Sequence, residues 1–310
     1  MPRPETIESL RPLLLSIAYR MLGTVSDAED VVQEALLRYH RAVEEGAQVL
    51  SLKAYLSAVV TRLSIDQLRS ARERREEYVG EWIPEPLLTD HAVADPLAVA
   101  ETGDSISMAF LLLLERLSPV ERAVFLLHDV FGYEFAEVAE IVGKSEANTR
   151  QLAHRARRHI EAGKPRFEAS RETRDALADR FFAAVAEGDM DHLVEMLAAD
   201  VVVHGDSGGK APRWAGPIAG ARRVAPLLVG TGRQMAEHGA WFERHLINGQ
   251  PGAIVRAPTR EIVSVFVLDI QDGAVQTIRS VINPDKLRHL GPVADVYGLL
   301  RGHRGPAPTG

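Results

Sequence analysis

Residues 134–160 read EFAEVAEIVGKSEANTRQLAHRARRHI, and the spacing inside that stretch decides how the rest of the chain is understood. Ala136, Ala139 and Ile141 mark one face of a short helix, Gly143 supplies a turn that tolerates positive φ, and Ser145 is placed to cap a second helix. Along that second helix Thr149, Leu152, Ala153, Ala156 and Ile160 turn inward, which leaves Arg150, Gln151, His154, Arg155 and Arg158 on the polar face. Helix, tight turn, helix with an Arg-rich outer face is the form of a module that lays its second helix in the major groove of DNA. An ordinary helical hairpin has the same apolar spacing, and the row of arginines is what counts against it.

The overall charge argues the other way at first. The 310 residues hold 36 Lys plus Arg against 43 Asp plus Glu, a net charge of −7, whereas phosphate binding needs a local excess of cations. The excess of acid is confined. Between Glu76 and Glu115 stand nine acidic residues and no Lys or Arg, in a stretch that carries Pro84, Pro86 and Pro96. On either side lie two basic clusters, Arg62, Arg69, Arg72, Arg74 and Arg75 before the strip and Lys144, Arg150, Arg155, Arg157 and Arg158 after it. Only potential within about a Debye length, ~8 Å, matters to a bound duplex, so two such clusters can grip DNA on an acidic chain.

Composition excludes other classes. The chain has no Cys, hence no disulfide framework and no thiolate metal site, and its longest apolar run, Met108 to Leu114, is too short to span a bilayer. A soluble, cytoplasmic protein with no membrane association, no metal and no cofactor is expected.

Outward from the helical hairpin, the apolar spacing predicts two helices between Ile7 and Val43 broken at Gly23, the second capped by Ser26 or Asp27, and a third helix from about Ser51 to Arg75. Helices continue from Ser105 to Leu117 and from Val120 to Phe131. After Thr173 the texture changes. Two helices, Asp175 to Glu187 and Met190 to Ala198, precede strand signals at Asp200 to His204, Ala240 to Ile247, Ala253 to Arg256, Glu261 to Ile270 and Ala274 to Ile282, with a helix near Ala219 to Gly230 and turns at Asn248-Gly249 and Asp272-Gly273. The fold class expected is multidomain: two all-α units followed by an α+β unit with a curved antiparallel sheet. The boundaries are 1–76, an acidic linker 77–104, 105–166, 171–291, and a flexible tail 292–310.

Three stretches resemble one family. DAEDVVQEALLRYHRA from Asp27 is similar to region 2.1 to 2.2 of the extracytoplasmic-function sigma-70 factors, AYLSAVVTRLSIDQLRSARERR from Ala54 to regions 2.3 to 2.4, and the run from Leu114 to Ile160 to region 4, in the family's order. The remainder resembles the subgroup with a SnoaL-like (NTF2-like) C-terminal extension. WIPEP at Trp82 to Pro86 matches its linker motif, DSGGK at Asp206 to Lys210 its Asp-Gly-Gly-Gly-basic motif with Ser207 in place of a glycine, and NPDKL at Asn283 to Leu287 its second motif.

The resemblance implies an RNA polymerase sigma factor, not an enzyme. It implies that Asp27, Glu29, Asp30, Gln33 and Glu34 bind the β′ clamp of core polymerase, with region 4 on the β flap. Thr61, Arg62, Asp66, Arg69 and Arg72 would then read the −10 element of promoter DNA, and Arg150, Gln151, His154, Arg155 and Arg158 the −35 element. Asp66 has a second reading as an intrahelical partner of Arg62 or Arg69. The extension would modulate activity through Trp82, Pro84, Asp206, Gly208, Gly209, Lys210, Asn283, Pro284, Asp285, Lys286 and Leu287. The acidic strip reads either as a segment that follows the path of nascent RNA or as a solvated tether, and apolar Trp82, Ile83 and Leu87 argue that its first part docks on the last unit. A one-component DNA-binding regulator with a small-molecule pocket is the alternative, and a small ligand in the last unit stays open. A hydrolase or isomerase using His204 and Asp206 is a third reading, against which stands a purely structural turn.

Overall fold

The computed structural model describes residues 6–76, 78–90, 103–162, 170–211 and 216–301, with the side chains of 71–76, 103, 104 and 299–301 outside the described residues. The chain forms two compact units, one from residues up to 77 together with 91–165, the other from 78–90 together with everything after 165. Part of the acidic strip therefore belongs to the second unit.

The first unit is all helical. Helix α1 (Ile7–Leu22) starts on a capping box between Thr6 and Ser9 and packs Leu14, Ile17 and Met21 against α2 (Val25–Glu44) and α3 (Leu52–Glu76). The N-cap of α2 is Thr24 rather than Ser26 or Asp27, and its hydroxyl donates to Asp27 at 2.5 Å, which keeps that carboxylate at the positive end of the helix. Helices α4 (Met108–Leu114), α5 (Pro119–Phe125), α6 (Phe135–Val142) and α7 (Glu146–Glu161) follow. Between α5 and α6 the expected straight helix widens into a π turn, Leu126–Val130. Two buried arginines join the early helices to the late ones. Arg20 donates to the Ser105 carbonyl at 3.1 Å, and Arg122 donates to the carbonyls of Leu114 at 2.9 Å and Met21 at 2.5 Å and to Glu115 at 2.8 Å. Carbonyl and carboxylate acceptors for these guanidinium donors are what make so deep a burial tolerable.

The second unit opens with α8 (Arg171–Glu187) and α9 (Met190–Met196), then strand β1 (Leu197–Asp206), the short β2 (Ile218–Ala219), α10 (Ala221–Glu237), and strands β3 (Trp241–Ile247), β4 (Gln250–Arg256), β5 (Ile262–Gln271) and β6 (Ala274–Val281). The six strands lie in the order β2-β1-β6-β5-β4-β3. Four of the pairings are antiparallel, and β1 runs parallel to β6, with Val203 opposite Ile278. A parallel pair needs a long connection, and everything from β2 to β5 supplies it. The hairpins turn where expected: Asn248 and Gly249 have φ of 53° and 68°, Asp272 and Gly273 of 51° and 72°, the left-handed pair that a two-residue turn requires.

Phe181, Phe182 and Val185 of α8, Val224, Ala225 and Leu228 of α10, and Val203, Val255, Phe266, Leu268 and Ile278 of the sheet form one core. Residues 292–301 do not begin a loose tail. Ile262 donates to the Pro292 carbonyl at 2.8 Å, Ala294 to the Ile262 carbonyl at 2.9 Å, and α11 (Val296–Arg301) follows; the rest of the tail expected at 292–310, residues 302–310, lies outside the described residues. Among the described residues no helix is long and apolar enough to cross a membrane.

Candidate nucleic-acid interface

Helix α7 has the two faces that its spacing predicts. Ser145 caps it by accepting from the Asn148 amide at 3.3 Å, Gly143 ends α6 with φ of 65°, and Thr149, Leu152, Ala153, Ala156 and Ile160 are buried. Arg150, Gln151, His154, Arg155 and Arg158 are all exposed. Several of these cations have carboxylate neighbours. Arg150 pairs with Glu146 and lies 4.5 Å above the Phe135 ring, Arg155 is 3.1 Å from Glu121, and the flanking Arg157 is 2.5 Å from Asp129. Burial works against the charge on Glu121, but donors from Ser118 and the positive Arg155 and His159 hold its carboxyl below the usual range. The Arg150–Glu146 pair, exposed on both sides, is of the kind worth only ~0–1 kcal/mol and exchanges readily for phosphate.

The proposed readers on α3 differ among themselves. Arg69 and Asp66 are exposed and pair at 3.4 Å, the intrahelical partnership that the spacing allows. Thr61 is fully buried, and the guanidinium of Arg62 is turned onto the end of α6, donating to the carbonyl of Ile141 at 2.9 Å and of Glu140 at 3.0 Å. Close by, the hydroxyls of Ser57 and Tyr133 share a buried hydrogen bond of 2.7 Å. The hydroxyls of Thr61 and Ser64 are buried and, among the described residues, have no hydrogen-bond partner. Part of the α3 face thus packs on the helix-turn-helix element within the same unit. The side chain of Arg72 lies outside the described residues. On α2, Glu29, Asp30 and Gln33 are exposed, Asp27 and Glu34 half-buried, beside Leu37, an aliphatic side chain left 45% exposed.

In the second unit, residues 78–90 form a strap across the sheet. Asp206, at the end of β1 and fully buried, is its anchor: the carboxylate accepts from the Tyr78 hydroxyl at 2.5 Å, the Ile83 amide at 2.9 Å, the Gly208 amide at 3.1 Å and the Lys286 ammonium at 2.6 Å. Lys286 also donates to the Ile83 carbonyl, and its ammonium lies 4.4 Å above the Trp82 ring. Asn283 donates to the Tyr78 oxygen at 2.8 Å. Burial, and then the hydrogen bond to the negative Asp206, push the Tyr78 phenol well above its ordinary range. Lys210 pairs with Asp285, and Leu287 is buried. Residues of both motifs singled out in the sequence therefore meet at the strap.

The turn after Asp206 explains its own glycines. Gly208 has φ of 54°, and a β carbon there would sit 2.3 Å from the Asn283 amide nitrogen. Ser207 is absent from the positive-φ positions and accepts from the Gly209 amide at 3.3 Å, so its side chain fits the turn.

Sequence reasoning missed His245 and His289 along the strap, and gave His204 a different partner. His204 donates to Glu81 at 2.9 Å, His289 to the Pro86 carbonyl at 2.7 Å, and His245 pairs with Asp90. At the far end the Thr89 amide donates to the Leu246 carbonyl at 2.8 Å, and the amides of Leu87 and Asn248 reach across to Asn248 Oδ1 and the Leu87 carbonyl. An acid-only strip is the signal that could have prompted a search for its cations. His204 and Asp206, the pair considered for acid-base work, are both engaged with strap residues, Asp206 wholly out of solvent. Among the described residues no group of three or more His, Cys, Asp or Glu is arranged to hold a metal ion.

Comparison with known proteins adds the context. Residues 6–74 match the family model of Sigma-70 region 2, and residues 107–160 that of Sigma-70, region 4. The chain is 40% identical over 291 residues to the ECF RNA polymerase sigma factor SigJ of Mycobacterium tuberculosis, covering 90% of this chain and 91% of that one. A probable ECF RNA polymerase sigma factor SigI of the same organism is 31% identical over 283 residues, 89% of this chain and 92% of that one. The crystal structure of M. tuberculosis SigJ superposes with a TM-score of 0.73 at 36% identity, covering 93% of this chain and 98% of that one. The likeness runs through the helical unit and the sheet unit together.

Proposed function

The chain belongs to the extracytoplasmic-function RNA polymerase sigma factors, and we propose that it directs core polymerase to promoters with α3 and α7 as its two reading helices and the strapped sheet unit as its built-in modulator. The exposed row Arg150, Gln151, His154, Arg155 and Arg158 on α7 carries this reading. Arg and Gln side chains suit bidentate contacts to guanine and adenine edges, and the flanking cations suit phosphates. Arg69 and Asp66 would meet the −10 strand, joined by Arg62 and Thr61 once α3 is released from α6. The acidic face of α2, with Asp27, Glu29, Asp30, Gln33 and Glu34, would meet the polymerase clamp, and the later helices the flap.

The modulation reading rests on the strap. Residues 78–90, held by Asp206, Asn283 and Lys286, cannot follow another path while docked, so release of the strap would free the acidic segment to follow polymerase's RNA channel. The reading assigns no catalysis, in keeping with an Asp206 spent on four donors.

The test is promoter-dependent transcription. Full-length protein added to core polymerase should yield discrete transcripts from genomic fragments, and absence of any transcript beside a working sigma control would overturn the proposal. Tight duplex binding without polymerase, and no transcript with it, would indicate a one-component regulator instead.

A further inference from the structure

A cavity of about 340 Å³ opens in the sheet unit between α8, α10 and β3, at the small end of the ~300–1,000 Å³ of small-molecule pockets. Phe182, Trp241 and Phe242 give it aromatic walls, and Ala183 and Ala236 leave the space between them. The rings of Phe182 and Phe242 are 5.3 Å apart and tilted by 48°, and Trp241, at the start of β3, is left 42% exposed.

Among the described residues the charged groups lining it are Asp179 and Arg244, and they neutralise each other. Arg244 donates through Nε to Asp179 at 2.8 Å and through Nη1 to the Gly252 carbonyl at 2.6 Å, while its guanidinium stacks 4.7 Å above Phe182. A charged ligand would lose its hydration and meet no uncommitted counter-charge. A flat, neutral one would lose little and gain contact with the rings of Phe182, Trp241 and Phe242. His204 and Asp206 do not line this cavity.

We propose that the cavity binds a neutral, planar, largely apolar small molecule and that this molecule acts on the strap through β3. The strand provides the link. Trp241, Phe242 and Arg244 line the cavity, and the next two residues, His245 and Leu246, hold Asp90 and Thr89 of the strap. A ligand that orders the first half of β3 steadies the grip of the second half. The effector role rests on the modulation reading above; the binding site does not.

The experiment uses the full chain and 1-aminoanthracene, a neutral planar fluorophore. Expected are a saturable rise in emission at one probe per chain, energy transfer from tryptophan that falls in Trp241→Phe, and at least tenfold weaker binding in Ala236→Phe, whose new ring fills the cavity. Circular dichroism checks that variant's folding, and Ala183→Leu serves the same purpose should Ala236→Phe not fold. At saturation, hydrogen exchange of the Thr89 amide should slow at least threefold in the unaltered chain and stay unchanged in the filled variant. Non-saturable binding, or equal binding in the filled variants, overturns the site. Binding that leaves Thr89 exchange unaltered overturns the effector role. Failure of promoter-dependent transcription would instead remove the sigma-factor reading and leave the probe result standing.

Discussion

The guanidinium of Arg62 on α3 donates to the main-chain oxygen of Ile141 at 2.9 Å, closing the C-terminal end of α6. A side chain assigned to promoter reading thus serves here as a cap for the helix that leads into the other reading element. The two uses exclude each other, because carbonyl and nucleic acid compete for the same donors.

Loosening this clasp without touching a reading residue should favour promoter engagement. Tyr133→Phe removes the buried bond to Ser57 and leaves that hydroxyl unsatisfied, at a cost of ~1–3 kcal/mol. Lower thermal stability with faster open-complex formation on a polymerase-dependent promoter is the expected pair of results, measured by melting and by permanganate footprinting. Equal open-complex rates in the two proteins would show that the clasp restrains nothing.

On α7, phosphate and base contacts should separate by salt. Arg158→Ala is expected to weaken binding alike across sequences and reduce the salt slope of log K by about 1, whereas Gln151→Ala should relax base preference at one position for ~1–3 kcal/mol. Equilibrium titrations of holoenzyme on promoter variants from 50 mM to 200 mM salt read both effects. Identical behaviour of the two variants would count against the assignment of α7 to base reading.

The Asp206–Lys286 pair offers a direct measure of strap strength. Asp206→Asn removes the charge that faces the buried Lys286 ammonium, a change of ~3–5 kcal/mol in comparable settings, and adding Lys286→Met should recover much of it. Hydrogen exchange at Ile83, whose amide donates to Asp206, reports the opening. If the single variant left Ile83 protected, the strap would be held elsewhere.

Tyr78 sets a pH dependence with a definite sign. Its folded-state phenol is held in the neutral form, so its pKa lies above that of the unfolded chain, and the stability it contributes is complete below the ordinary value of ~10 and is lost as pH rises beyond it. Strap docking, followed by exchange at Ile83, should therefore hold to about pH 10 and weaken above it. In Tyr78→Phe docking should be weaker at neutral pH and lack that alkaline loss. A wild-type strap whose Ile83 protection factor, the exchange rate relative to that of an unstructured amide at the same pH, is indifferent to pH across this range would contradict the arrangement.

Much of this was legible in the sequence because local rules agreed. Each inward and outward position of α7 follows from a 3.6-residue period, and the hairpins at Asn248-Gly249 and Asp272-Gly273 follow from turn chemistry. Elements whose partners are distant were not legible. Arg20 and Arg122 look like surface cations until the carbonyls that receive them are known. Helix α9 ends at Met196, two residues before the position expected from its spacing, because Leu197 already pairs with Val275 of β6. Arg62 is expected to face DNA, but no pattern in one helix announces that the end of another will hold its guanidinium. Ser207 needs no left-handed backbone, since the left-handed residues of that turn are Gly208 and Gly209.

The strap also bears on solubility. Strand β3 is the last in its sheet, and its Leu246 end finds its outer hydrogen-bond partner in Thr89. Peeling away residues 78–90 would bare amides and carbonyls at a flank where another chain's strand can add. A partner that lifted the strap would also unseal this flank, so under the proposed reading the freed form would need to be short-lived or covered at once by polymerase.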